Sequence, residues 1–239
     1  MEYRERTYRQ RVSTTDLVSF SVQVGQTDLL ISASHELTEP ALQAIHRYRR
    51  QLEAYIETRP PFLKSLIPLE KDGLAPPIVR DMLEAAERAG VGPMAAVAGA
   101  VAERVGKDLL PLSANIIVEN GGDIYIRTDR EVRVGLFAGA SPLSDRIFLK
   151  ISPERTPLGI CTSSGTVGPS LSLGRADAVT VISKSAALAD AAATSIGNLV
   201  QNPATIKKGL ERAKQIPGVL GVVIIIADRM GAWGEVELG

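Results

Sequence analysis

The sequence predicts an α+β fold, a mostly antiparallel sheet packed with helices in layers. Three observations carry this. Runs rich in β-branched residues with apolar/polar alternation come in blocks, not singly between helices. Stretches of helical periodicity form blocks of their own, one before Pro111 and another after the strand "DAVTVIS". Turn residues, not long crossovers, join most of the β-rich runs, which favours antiparallel neighbours over a parallel doubly wound sheet.

Each element has its local reason. "DLVSFSVQV" and "TDLLISA" flank Gly25 and Gln26 and read as an N-terminal hairpin. A long amphipathic helix runs from about Glu39 to Thr58, with Leu42, Ile45, Leu52 and Ile56 near the helical period. Prolines in "TRPPFLKSLIP" and "KDGLAPP" mark loops. A second helix begins after Pro76-Pro77 and stops at Gly90; a third runs from Pro93 through Leu110. "ANIIVE", "DIYIRTD", "EVRVGLF" and "RIFLKI" then read as an antiparallel meander. "DAVTVIS" is a strand and leads into a helix carrying Asp190. "NPATIKKGLERAKQIPG" is a helix closed by Pro217 and Gly218, and "VLGVVIIIAD" with "AWGEVEL" makes a final two-strand unit. Residues 1–239 read as a single domain, with two intertwined α/β lobes as its variant.

Composition bounds the function. The 239 residues are 45% hydrophobic and 23% charged, ordinary values for a globular protein. Lys plus Arg and Asp plus Glu number 27 each, so no overall field favours nucleic acid or a membrane surface. Basic residues do cluster at Arg4, Arg6, Arg9 and Arg11 and again at Arg47, Arg49 and Arg50. Such short runs read first as solvated edges or faces. Aromatics at 4% leave little for base stacking. Cys161 is the one cysteine, which excludes an intrachain disulfide and fits a reducing cytoplasm. The start lacks the apolar segment of a signal peptide, and "VLGVVIIIA" at 219–227 falls far short of the ~20 residues a membrane helix needs.

Four stretches can carry chemistry, each with a structural alternative. In "VENGGDIYIR", Gly121 and Gly122 allow a tight turn and close backbone approach, with Asn120 and Asp123 beside it; the alternative is a plain hairpin. In "GICTSSGTVG", Cys161 heads a small hydroxyl-rich loop of Thr162, Ser163, Ser164, Gly165, Thr166 and Gly168, suited to polar or phosphate ligands or else a surface turn. In "GVGPMAAVAGAVAE", Ala95, Ala96, Gly99 and Ala100 make a helix start slim enough for a ligand or another helix. In "ALADAAATSIGN", Asp190 and Thr194 project from one helix face and offer two hard oxygens suited to Mg²⁺. An aspartate bonded to a neighbouring amide explains Asp190 equally well. His35 and His46 are the two histidines, so a Ser-His-Asp triad or a histidine-rich zinc site lacks supply. Neither G-x-x-x-x-G-K-[ST] nor a strand-linked G-x-G-x-x-G occurs.

In this order the stretches resemble the ApbE superfamily, of which magnesium-dependent FAD:protein FMN transferases are the best-known members. "VENGGDIYI" is similar to its Asn-Gly-Gly-Asp turn, "CTSSG" to its Ser-Ser-Gly loop, and "ADAVTVISKSAALADAAATS" to its strand and Ala-Asp-x-x-x-Thr helix. "GPMAAVAGAVAE" takes the place of the family's small-residue helix near the flavin. With the Arg-Thr-Tyr-Arg start and "TDLLISA", the chain is most similar to a shorter, uncharacterised branch. The resemblance implies that Asp190 and Thr194 bind Mg²⁺, which bridges a pyrophosphate of FAD. It implies that Gly121, Gly122 and Asp123 shape the site, and that Thr162, Ser163, Ser164 and Gly165 contact the ligand. The reaction implied is transfer or hydrolysis at a flavin or another phosphate-bearing small molecule. The transferases also carry a histidine segment with Asp-Pro-x-Thr-Gly, where this chain reads "TVGPSLSLGRADAV". Two other readings stand beside this one: a sulfur-handling protein of sulfur assimilation or thiol metabolism using Cys161, and a non-enzymatic homo-oligomeric scaffold.

Overall fold

The computed structural model describes residues 12–13, 16–166 and 173–239. Arg4, Arg6, Arg9, Arg11 and Gly168 therefore lie outside the described residues. Eight antiparallel strands form the central sheet: β2 (Val18–Val24), β3 (Thr27–Ala33), β4 (Ile116–Asn120), β5 (Asp123–Arg127), β8 (Leu158–Ser163), β9 (Ala178–Ser183), β10 (Val219–Ile226) and β11 (Arg229–Gly234). Their order is β11-β10-β9-β8-β5-β4-β3-β2. The N-terminal strands and the C-terminal strands therefore meet where β5 pairs with β8, with Asp123 opposite Cys161.

Helices cover one face. α1 (Thr38–Thr58) lies over β2, α4 (Val97–Leu109) over β4 and β5, α5 (Ala186–Gly197) over β8 and β9, and α6 (Ile206–Gln215) over β10. α3 (Pro77–Ala89) packs outside α4 and α5, and the short α2 (Pro61–Lys64) follows α1. Central strands such as β4 and β9 are buried on both faces, so consecutive apolar residues such as Ile116, Ile117 and Val118 replace the alternation of a half-exposed strand. Glu119, Thr180 and Ser183 are buried beside them. The far face is covered by a small sheet in the order β1-β6-β7, from β1 (Val12–Ser13), β6 (Val132–Gly135) and β7 (Phe148–Ile151).

That small sheet corrects the meander. β4 and β5 pair as expected, but β6 and β7 leave the central sheet and β8 takes the place beside β5. The reason is a second apolar face. Val132, Val134, Leu149 and Ile151 bury themselves against Ile117, Ile124, Ile126, Leu158 and Ile160, which point away from the helices. The third helix also differs at its start: Pro93–Ala96 is a 3₁₀ turn, and the α-helix begins at Val97. The second helix ends as its sequence requires, with Gly90 left-handed at φ 69°.

Candidate functional site

The helix carrying Asp190 is apolar nearly all round because it is enclosed. Of the twelve residues of α5, ten are buried, and Asp190 and Thr194 are the two that reach solvent. Alanines on the other faces let neighbouring backbones approach. At Gly159 of β8 an added Cβ would lie 2.2 Å from the Ala186 Cα, and at Gly99 of α4 it would lie 2.2 Å from the Ala186 carbonyl oxygen. Glycine is required at both places by contact with another backbone. The small residues at the start of α4 thus serve a helix–helix crossing.

Asp190 sits at that crossing. The Gly99 amide donates to its Oδ2 at 2.9 Å, so Asp190 supplies to α4 the N-terminal cap that α4's own sequence lacks. Burial nevertheless pushes Asp190 up to about 7, against the downward pull of the Gly99 and Ala98 amides. Asp123 faces it from the sheet. In the turn before Asp123, Gly121 and Gly122 have φ of 68° and 102°, and the Gly122 amide donates to Glu119 Oε1 at 2.7 Å. Asn120, the cross-strand partner of Asp123, donates to the Ala98 carbonyl at 3.0 Å and ties this hairpin end to α4.

Asp123 is itself buried, and its Oδ1 has no hydrogen-bond partner. Desolvation, and then the nearby Asp190 charge, hold its carboxyl well above the usual range, while the Cys161 thiol and the Thr162 amide oppose this. Two carboxylates therefore share one corner, one of them with an orphaned oxygen. Among the described residues no cation pairs with either.

The other expected site residues are distributed. Thr194 lies one turn beyond Asp190 on the same accessible stripe. Thr162 and Ser163 are the last two residues of β8, a correction to the loop expected there, because this strand must run on to pair Ser163 with Val179. Strand alternation then turns Thr162 away from α5, where it shares a 2.8 Å hydrogen bond with Thr180. Ser163 faces α5 near Gly197, about 10 Å along the helix from Asp190 at ~1.5 Å per residue. Gly165 donates to the Ala176 carbonyl at 2.9 Å, and a Cβ there would meet the Gly174 carbonyl oxygen at 2.2 Å, so its small size serves loop closure. The Ser164 hydroxyl shares a 3.3 Å hydrogen bond with Thr166.

Cys161 lies under the carboxylates and is fully buried, its thiol donating to the Ala186 carbonyl at 3.3 Å. Burial, then Asp123 and Asp190, push the thiol well up, the opposite of what a nucleophilic or sulfur-carrying cysteine needs.

One residue escaped the sequence. Glu103 of α4 is buried and accepts from the Ser185 hydroxyl at 3.0 Å and from the Ala186 and Ala187 amides at 2.7 and 3.3 Å, so it caps α5. Its spacing to Lys107 signals an ordinary surface pair, which hid this role.

A family model described as AbpE bacteria matches residues 9–232. The chain belongs to this AbpE family. A UPF0280 protein of Methanocella arvoryzae is 42% identical over 214 residues, 89% of this chain and 87% of the relative. A UPF0280 protein of Methanocaldococcus jannaschii is 41% identical over 219 residues, covering 89% of each. Among solved structures, the flavin transferase ApbE from Vibrio cholerae aligns over 91% of this chain and 96% of its own with a TM-score of 0.56 at 14% identity. The flavinyl transferase ApbE of Pseudomonas stutzeri gives 0.54 at 14% identity, over 91% of this chain and 93% of its own. At these identities the AbpE chain shares their fold. Among the described residues no helix is long and apolar enough to cross a membrane.

Proposed function

We propose that this protein binds a flavin or another phosphate-bearing small molecule together with Mg²⁺, at the corner where Asp123 and Asp190 meet. The observation that carries the reading is the partnerless, buried Oδ1 of Asp123, on a carboxyl that feels the charge of a second one, Asp190. A buried carboxylate oxygen without a partner is costly, and a second carboxylate nearby raises the cost. A hard divalent cation resolves both problems at once, and oxygen ligands are what Mg²⁺ takes. Asp123 and Asp190 would hold it, with the Thr194 hydroxyl one turn along the same stripe.

When bound, such a cation supplies charge neutralisation to a phosphate or pyrophosphate group. The chain's own residues do the rest by placement. The Gly99 amide holds one oxygen of Asp190, which fixes that side chain against α4. The Gly121–Gly122 turn, closed onto Glu119, fixes Asp123 at the first position of β5. Burial of α5 on every side but one leaves the Asp190–Thr194 stripe as its single approach from solvent. The fold shared with the flavin transferases of Vibrio cholerae and Pseudomonas stutzeri makes a flavin the first ligand to try.

The test is calorimetric titration with FAD, with and without Mg²⁺, on the wild type, Asp190→Asn and Asp123→Asn. Asparagine keeps an acceptor for Gly99 and removes charge, so the fold is spared. Mg²⁺-dependent binding that both substitutions weaken supports the reading. Binding indifferent to Mg²⁺ and to both substitutions overturns it.

A further inference from the structure

We infer that Glu103 is a positioning residue for the α5 carboxylate: it sets the place of Asp190 by holding the first turn of α5 onto α4. This rests on the reading of Asp190 as a ligand-binding group. α4 and α5 touch where Gly99 meets Ala186. Four residues beyond each contact point stands a carboxylate that reaches back to the other helix. Asp190 takes the Gly99 amide, and Glu103 takes the Ala186 and Ala187 amides through one oxygen, Oε2.

Glu103 also accepts the hydroxyl of Ser185, whose oxygen in turn accepts the Leu188 amide at 3.3 Å as the N-cap of α5. Its other oxygen, Oε1, pairs with Lys107 at 2.6 Å. The first turn of α5 is thus held from α4 by Glu103, capped by its own Ser185, and seated on β8 where Gly159 removes any side chain. Asp190 lies just over one turn further on, ~6 Å at ~1.5 Å per residue. Because α5 is packed on nearly all sides, it moves as a body, and a displacement of its first turn carries Asp190 with it. Ligand-holding groups need placement within ~0.5 Å, and residues that orient them affect metal affinity without touching the metal.

The experiment uses the full chain and three readouts: Mg²⁺ titration by calorimetry with the metal alone, amide hydrogen exchange at Gly99 relative to Ile224 in the sheet, and thermal unfolding. Glu103→Gln keeps the shape and removes the charge. Leu149→Ala, buried in the far-face core, supplies a destabilised control remote from α5. The expected result is Mg²⁺ affinity reduced about tenfold in Glu103→Gln, with faster relative exchange at Gly99. Leu149→Ala should stay within about twofold of wild type in both, as remote sites are independent. Should Glu103→Gln fail to fold, Ser185→Ala removes one of the donors to Glu103 together with the N-cap of α5, leaves the two amides on Glu103, and should shift both readouts the same way by less. Glu103→Gln that melts earlier yet keeps wild-type metal affinity and Gly99 exchange makes Glu103 a cap and nothing more. Absence of Mg²⁺ binding in the wild type would sink the proposed function instead, and the Gly99 exchange ratio would still decide whether Glu103 fixes the Asp190 contact.

Discussion

Glu103 on α4 and Asp190 on α5 each hold the first turn of the other helix, from positions four residues past the same close contact. Their surroundings differ. Glu103 accepts from a hydroxyl and two amides and is paired with Lys107. Asp190 is pushed up to about 7 by burial and stands near Asp123, whose Oδ1 has no partner. A carboxylate that only builds the fold is saturated with donors, as Glu103 is. One left short of positive charge, next to another in the same state, holds a local instability that folding alone does not require. Such deficits gather where a protein meets its ligand.

The crossing itself offers the largest way to break this comparison. Gly99→Ala places a Cβ 2.2 Å from the Ala186 carbonyl oxygen and 2.9 Å from the Asp190 Cβ. Neither is the loose end of a flexible chain, so the helices must part and both caps stretch together. Denaturant unfolding should show a loss of about 3 kcal/mol, the upper part of the usual overpacking range. A loss below about 1 kcal/mol would mean that the crossing is slack and that the two caps are not linked through it.

The charge deficit gives the next effect, through pH. A carboxyl whose folded value is raised binds its proton more tightly in the native state than in the unfolded chain. Stability is therefore fullest below about pH 4, where both states are protonated, and is lost as pH rises towards about 7. Asp123, shifted the same way, adds to the slope. In chelator, the wild type should lose on the order of 2 kcal/mol across this window, with screening by solvent at the open stripe already discounted. Asp190→Asn should flatten the curve, because it removes one titrating group and relieves the other. Saturating Mg²⁺ should flatten it in the wild type. Identical slopes for wild type and Asp190→Asn in urea melts at pH 4.5 and 7.5 would show that Asp190 carries no deficit.

The layered antiparallel architecture was legible because its signals are local. Gly25, Gly90 and the Gly121–Gly122 pair sit at the turns and helix end that their neighbours define, and each has positive φ. The carboxylate corner is legible in part: the sequence points to Asp123 and Asp190, and the charge of Asp190 acts on Asp123, while Thr194 lies one turn further along α5. The pairing of β5 with β8 was hidden because its cause lies elsewhere, in the apolar face that draws β6 and β7 to the far side. The composition of "TSSG" predicts a loop at Thr162, while strand pairing to Thr180 decides its direction. Glu103 was invisible for the same kind of reason. Its partners are amides on a helix more than eighty residues away, and its spacing to Lys107 looks like an exposed pair.

The smallest expected effect bears on what lies beneath the two carboxylates. Cys161 is opposite Asp123 in register, and its thiol donates to Ala186, the residue at the crossing. It is therefore part of the floor that seats α5. Serine there keeps a donor for the Ala186 carbonyl but is smaller and more polar, so Cys161→Ser should cost about 1 kcal/mol in denaturant unfolding. Mg²⁺ and FAD titrations should match the wild type within about twofold, since the hydroxyl preserves the contact that places α5. Iodoacetamide should label the native thiol far more slowly than the unfolded one, because a buried thiol held well above its ordinary range presents little thiolate. Loss of ligand binding in Cys161→Ser with the fold intact, or rapid native labelling, would reverse the assignment and make the sulfur, not the carboxylates above it, the working group of this corner.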